Sequence, residues 1–215
     1  MLVETIRVGD FQTNCYLAYD EESKEGFVVD PGGDGEKILA AAERLEVTIR
    51  CIILTHSHFD HIMALSAVHE KCGAPVAIHV SEADELAKQK NTAAAALGLG
   101  DLSITPCKAD LLLSDGDVLE YAGQSLTVIH TPGHTVGSIC IDTGSVLFSG
   151  DTLFEDSCGR WDLPGGDVRI LLKSLRRLSL LEGDRIVYPG HGFSTTLTRE
   201  RQVNSAMLHA QRSTL

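Results

Sequence analysis

The run Arg50-Cys-Ile-Ile-Leu-Thr55 is apolar over four consecutive residues and leads directly into His56-Ser-His-Phe-Asp-His61. A strand that is apolar on successive residues has no polar face, so it belongs in a sheet covered on both sides. The four potential metal ligands that follow it lie where the chain leaves the sheet, the place where α/β proteins carry their chemistry. The feature points to an α/β chain with a ligand-bearing loop at the end of a buried strand.

The rest of the chain supplies the remaining layers. Leu2 to Val8, Asn14 to Tyr19 and Gly26 to Asp30 read as antiparallel strands, divided by Gly9-Asp10 and Asp20-Glu21-Glu22. Pro31 to Gly35 is a loop. A helix is expected from Glu36 to Leu45, with Ile38, Leu39, Ala42 and Leu45 on one face. A second is expected from His61 to Lys71, then a strand from Pro75 to His79 and a helix from Ser81 to Lys88 with Ser81 as its N-cap. Lys90 to Asp110 reads as a variable connection. Val118 to Ile129, Ser138 to Asp142, Ser145 to Ser149 and Arg185 to Tyr188 have strand character, and Val168 to Leu181 and Thr198 to Gln211 helical character. The sum is one α/β domain over residues 1–215, with two sheets and helices outside them.

Composition excludes several functions. The chain has 30 acidic and 18 basic residues, a net charge of −12, which opposes binding along a nucleic-acid backbone. No apolar stretch approaches the roughly 18–20 residues that span a bilayer. The start, Met-Leu-Val-Glu-Thr-Ile-Arg, has an acidic residue and no apolar core, unlike a secretory signal. The six cysteines include no C-x-x-C pair and read as buried thiols. These features point to a cytoplasmic protein acting on a small molecule.

Nine histidines are present, and they cluster. His56 and His58 share one face of an extended strand end, whereas Asp60 and His61 follow a turn and face elsewhere. His134 lies in His130-Thr-Pro-Gly-His-Thr135, Asp151 in Phe148-Ser-Gly-Asp-Thr152 and His191 in Tyr188-Pro-Gly-His-Gly192, each in a loop after an apolar strand. Imidazole and carboxylate suit zinc, iron and manganese. The set lacks cysteine and holds too many ligands for one closed structural site. It therefore points to two divalent ions.

In this order, T-H-S-H-F-D-H, T-P-G-H-T, S-G-D-T-L-F and Y-P-G-H-G resemble the metallo-β-lactamase fold superfamily. Val28-Val-Asp-Pro-Gly-Gly-Asp34 and Cys158-Gly-Arg-Trp-Asp-Leu-Pro-Gly-Gly-Asp167 are similar to the short bacterial glyoxalase II-like hydrolases. The resemblance implies an αβ/βα sandwich of two mixed sheets flanked by helices. It also implies that His56, His58 and His134 hold one metal, that Asp60, His61 and His191 hold the other, and that Asp151 bridges them. Zinc is the expected metal, with iron or manganese as alternatives. The implied reaction is hydrolysis of a thioester or related ester, with S-D-lactoylglutathione as the reference substrate. Asp60 would orient the attacking water and take its proton. The tail after His191 is too short for the helical region with which full-length glyoxalase II enzymes bind glutathione.

Several residues keep two readings. Arg160 either binds a substrate carboxylate through its planar fork or pairs with Asp162 or Asp167. Asp30 either supports a ligand histidine or caps a turn. Trp161 walls the pocket or covers the core. Cys158, Ser57 and Ser149 read as packed loop residues, and His69, His79, His130 and His209 as ordinary histidines. Alternative functions on the same resemblance are a mononuclear iron persulfide dioxygenase-like oxygenase, a lactonase and a metal-binding protein without turnover.

Overall fold

The computed structural model describes residues 1–100 and 102–213. Among these residues the chain forms two six-stranded sheets. The first contains β1 (Leu2–Val8), β2 (Thr13–Tyr19), β3 (Glu25–Val29), β4 (Thr48–Ile53), β5 (Val76–His79) and β6 (Leu111–Leu113), adjacent in that order. Strands β1 to β3 are antiparallel and β3 to β6 parallel. Parallel neighbours need crossovers. These carry α1 (Gly35–Arg44), α2 (Phe59–Ile62), α3 (Leu65–Cys72), α4 (Ala83–Leu86) and α5 (Thr92–Ala96).

The second sheet runs β12-β11-β10-β9-β8-β7, from β7 (Val118–Tyr121), β8 (Gln124–His130), β9 (Ile139–Asp142), β10 (Val146–Gly150), β11 (Ile186–Pro189) and β12 (Thr195–Thr196). Only β10 and β11 are parallel, and α6 (Val168–Ser179) connects them. Helices α7 (Leu197–Val203) and α8 (Ser205–Arg212) follow β12. Both sheets are mixed, as expected of an αβ/βα sandwich.

Side-chain alternation builds the layers. On β2, Cys15 and Leu17 face α1 and α3, packing with Ile38, Leu65 and Val68, while Tyr16 and Ala18 face the second sheet. Phe27, Ile53, Leu126, Ile139 and Phe148 fill the space between the sheets. Leu147 and Val187 pack outward against Leu171, Leu175 and Leu178 of α6 and Met207 of α8. Consecutive residues of β4 and β10 are buried because each strand is covered on both faces. No described helix is long and apolar enough to cross a membrane.

The structure adds two short strands that the sequence reading lacks, β6 and β12, and its elements break or begin differently at five further places. The helix expected over His61 to Lys71 is two, α2 and α3, broken at Ala64, whose N–H donates to Pro31 O at 3.0 Å. Val118 to Ile129 is a hairpin, because Ala122 and Gly123 both adopt positive φ (51° and 65°), the geometry of the tight turn that suits strand twist. Ser81 does not cap a helix; the side chain of His79 accepts from Ser81 N at the start of a 3-10 turn, Val80–Glu82. Within the expected connection, Asn91 caps α5 through Ala93 and Ala94 N–H. Thr198 to Gln211 breaks at Asn204, whose side chain caps α8. None of these moves the rim where β3, β4, β10 and β11 end and the ligand-bearing loops meet.

Candidate metal centre

Each ligand-type side chain leaves a strand end. Asp30 follows β3, His56 and His58 follow β4, Asp151 follows β10 and His191 follows β11, while His134 lies in the loop from β8 to β9. The chain stays extended through His58 (φ −61°, ψ 143°), which forms the N-terminal boundary of α2. That helix carries Asp60 round to His191, whereas the His61 ring packs against His56 with 4.1 Å between centroids, so only its Nε2 edge is turned toward Asp60 and Asp151.

The residues gather into two sets that share Asp151. In the first, His134 Nε2 lies 3.2 Å from His56 Nε2 and 2.9 Å from His58 Nδ1. In the second, Asp60 Oδ2 lies 3.2 Å from His191 Nε2 and 3.9 Å from His61 Nε2. Asp151 reaches both, with Oδ2 at 3.5 Å from His134 Nε2 and Oδ1 at 3.4 Å from His61 Nε2. Gly190 is essential to this approach: a Cβ there would overlap Asp151 Oδ1 and touch His61. All seven sequence-selected ligand candidates meet at the rim.

Acceptors behind the sets orient the rings. His134 Nδ1–H donates to Arg160 O at 2.7 Å, which leaves Nε2 as a lone pair facing the cluster. Asp30 is buried and accepts from Thr55 N (2.8 Å), the Thr55 hydroxyl (2.6 Å) and His61 Nδ1–H (2.9 Å). With the hydroxyl proton committed to Asp30, Thr55 Oγ1 can accept from His56 Nδ1 at 3.1 Å. Asp30 thus aims His61 directly and His56 through Thr55, and its φ is 51°.

The fit to a metal is visible in what stays unpaired. His61 Nε2 and Asp151 Oδ1, both facing the cluster, are buried without a hydrogen-bond partner among the described residues. Buried polar atoms are normally paired. Three imidazole nitrogens converging at these distances, backed by carboxylates and with no cysteine, form a donor set suited to zinc, iron or manganese.

The two sets differ in protonation. Burial, and then the neighbouring imidazoles, hold His56 well below the ordinary histidine pKa. Burial and then His134 push His58 down to about 3. At His61 burial acts the same way, but Asp151, Asp30 and Asp60 outweigh it and raise its pKa well above the ordinary value. His191 is raised because its Asp60 hydrogen bond and Asp151 overcome burial. Burial opposes ionisation of Asp60 and Asp151, yet His61 and its neighbours keep both below the usual carboxylate range.

The remaining candidates take structural positions. Arg160 Nε and Nη2 form a fork on Asp162 at 2.7 and 2.8 Å, the ion-pair alternative. Asp167 instead caps α6. Trp161 is exposed and does not cover the core. Ser149 Oγ donates to Leu153 O, Ser57 Oγ to Glu82, and Cys158 packs beside the α6 core. Thr55, Glu82 and Asn91 were not singled out in the sequence. Thr55 adjoins the histidine run, but its partner lies 25 residues away.

The family model of the metallo-beta-lactamase superfamily matches residues 8–191. The chain belongs to the metallo-beta-lactamase superfamily. Among curated relatives, hydroxyacylglutathione hydrolase GloC of Haemophilus influenzae is 33% identical over 213 residues, covering 95% of this chain and 97% of that one. Among solved structures, BLEG-1 B3 metallo-beta-lactamase superposes with a TM-score of 0.88 at 38% identity, covering 96% of this chain and 99% of that one. TTHA1623 in a di-iron-bound form superposes at 0.82 with 36% identity, covering 94% and 99%. The superfamily supports a metal-binding hydrolase.

The protonation contrast has a measurable consequence. A metal ligand must be deprotonated, so an ion entering at His61 and His191 displaces protons that His56 and His58 do not carry. Lowering the pH from about 8 to about 6 should weaken zinc binding at the Asp60, His61 and His191 set more steeply than at the His56, His58 and His134 set. Zinc titration of metal-free protein across this range checks it; parallel pH slopes for both sets would contradict it.

Proposed function

We propose that the protein is a dinuclear metal-dependent hydrolase acting on a thioester or related ester, similar in chemistry to hydroxyacylglutathione hydrolase. The observation that carries this is the pair of ligand sets sharing Asp151, each with an arm of that carboxylate within 3.5 Å of a ring nitrogen. His56, His58 and His134 would hold one divalent ion and Asp60, His61 and His191 the other, with Asp151 between them. Zinc is the first assignment and iron or manganese the alternative. Bound divalent ions of this kind lower the pKa of water, polarise a carbonyl and stabilise the oxyanion that forms.

The chain's own groups supply position and proton transfer. Asp60 is ionised near neutral pH and presents Oδ2 beside both His61 and His191. It orients the attacking water and takes a proton as the new C–O bond forms. Collapse of the tetrahedral species breaks the C–S bond, releasing a carboxylic acid and a thiolate. No serine or cysteine nucleophile is needed. Clefts of about 280 Å³ beside His58 and about 240 Å³ beside His191 leave room for a small molecule. The relation to GloC supports the thioester, and the likeness to BLEG-1 B3 metallo-beta-lactamase makes a β-lactam the substrate to be separated from it by assay.

Two substitutions test this reading. Asp60→Asn keeps the size of the side chain but removes the proton acceptor. With zinc in excess, thioester kcat should fall about 10²–10⁴-fold, the range of general-base action. A variant that holds its metals and retains near-normal kcat would remove Asp60 from the mechanism. An assay panel with a thioester, an ester, a lactone, a β-lactam and oxygen uptake separates the alternatives; oxygen consumption without hydrolysis would replace this function with an oxygenase.

Arg160 is the proposed contact for an anionic substrate group, in exchange for or alongside its pairing with Asp162. On that role, Arg160→Ala raises KM for anionic thioesters and leaves neutral esters nearly unchanged. A uniform loss across substrates together with a lower Tm would reduce Arg160 to its ion pair.

A further inference from the structure

We infer that Glu82 is a positioning residue that clasps the two loops carrying His56, His58 and His134 and so sets the geometry in which those imidazoles hold an ion. The inference rests on the metal reading above and adds a residue outside its ligand sets. Glu82 ends the 3-10 turn after β5 and is only 4% exposed. Its Oε2 accepts from the backbone N–H of Ser57 at 3.2 Å and from the Ser57 hydroxyl. Its Oε1 accepts from Gly137 N–H at 2.9 Å. Ser57 is the residue between His56 and His58, and Gly137 lies three residues after His134. One carboxyl group therefore ties both ligand loops to the end of a third strand.

The Ser57 peptide is fixed from its other side too. Asn91 Nδ2 donates to Ser57 O at 2.7 Å, while Asn91 Oδ1 caps α5. With its N–H, C=O and hydroxyl all engaged, Ser57 cannot turn without breaking buried hydrogen bonds. The flanking histidines then inherit a fixed backbone. Contact with Gly137 is close: a Cβ at that position would meet Glu82 Cγ at 2.5 Å and His79 Nδ1 at 3.1 Å. His79 stacks on His130 (4.1 Å between centroids, 11° between planes), which leads into the His134 loop.

The chemistry of the side chain favours positioning over filling. No lysine or arginine forms an ion pair with Glu82 among the described residues. A buried carboxyl group without a cationic partner is costly unless hydrogen bonds offset the lost hydration. Two acceptor oxygens meet donors from both loops. A glutamine presents one acceptor and one NH₂ group, so it leaves a donor of one loop facing another donor.

The experiment compares wild type, Glu82→Gln and Ser57→Ala. Metal-free proteins are titrated with zinc against a chromophoric chelator, and Tm is recorded without metal. His134→Ala identifies the set that His134 serves, since the ion it retains marks the other. In Glu82→Gln the His134-side affinity should fall about 10–100-fold, the usual effect of removing support behind metal ligands, with the other affinity unchanged. Ser57→Ala, which removes one donor and leaves both N–H bonds, should weaken the same side by less. If Glu82→Gln does not fold, Ser57→Ala decides: selective weakening supports the clasp and unchanged binding overturns it. Unchanged zinc affinities in Glu82→Gln, or equal weakening of both sets with a lower metal-free Tm, overturn it as well. Wild-type protein that takes up no zinc would overturn the metal reading and the clasp together, whereas two ions bound equally by wild type and Glu82→Gln removes the clasp alone.

Discussion

Asp30 sits where the first sheet turns into chemistry. Its carboxylate accepts three hydrogen bonds from Thr55 and His61 in a site almost closed to water. Two consequences follow. The end of β4 is tied to the end of β3, so the loop holding four ligand candidates starts from a fixed point. His61 and, through Thr55, His56 are also turned so that their free nitrogens face the centre. Hydrogen bonds to a charged group are worth about 1.5–3 kcal/mol each, more than those between neutral groups. Removing Asp30 would leave Thr55 and His61 donors unpaired in the core.

The rest of the architecture supports that rim. Parallel strands place their C-terminal ends together, and the crossover helices keep the connections outside. Each sheet lends its share: β3 and β4 bring Asp30, His56, His58, Asp60 and His61, while β10 and β11 bring Asp151 and His191. The apolar contacts between sheets, with Phe148 against Tyr16 and Phe27 and Tyr188 against Tyr16, fix the distance between the two halves. Asp151 can lie between two ligand sets because that distance is set by packing.

Most of the site was legible because its signals are local. The His56 to His61 run follows an apolar strand immediately, and each remaining ligand candidate stands beside glycine in a short loop. The layers were legible for a similar reason, since β4 and β10 are apolar on both faces. What escaped depended on distant partners. Asn204 breaks the last helix while its amide reaches Phe154 and Ser157 carbonyls, which no periodicity records. The turn at Ala122 lacks the Asn-Gly or Asp-Gly signal because alanine takes the first positive-φ position. Glu82 looked like one more acidic residue on a helix; only the fold shows that Ser57 and Gly137 converge on it. Arg160 kept two readings, and the fork it makes in the fold is with Asp162, two residues on, the ion-pair reading that the sequence also offered.

Ligand geometry, hydrolytic chemistry and the role of Asp151 meet in one quantity, the number of ions needed for turnover. The direct measurement adds zinc stepwise to metal-free protein and records thioester hydrolysis at each step. A shared Asp151 between two ligand sets predicts a rate that reaches its plateau at two equivalents per chain. A plateau at one equivalent, unchanged by further zinc, would contradict a dinuclear centre.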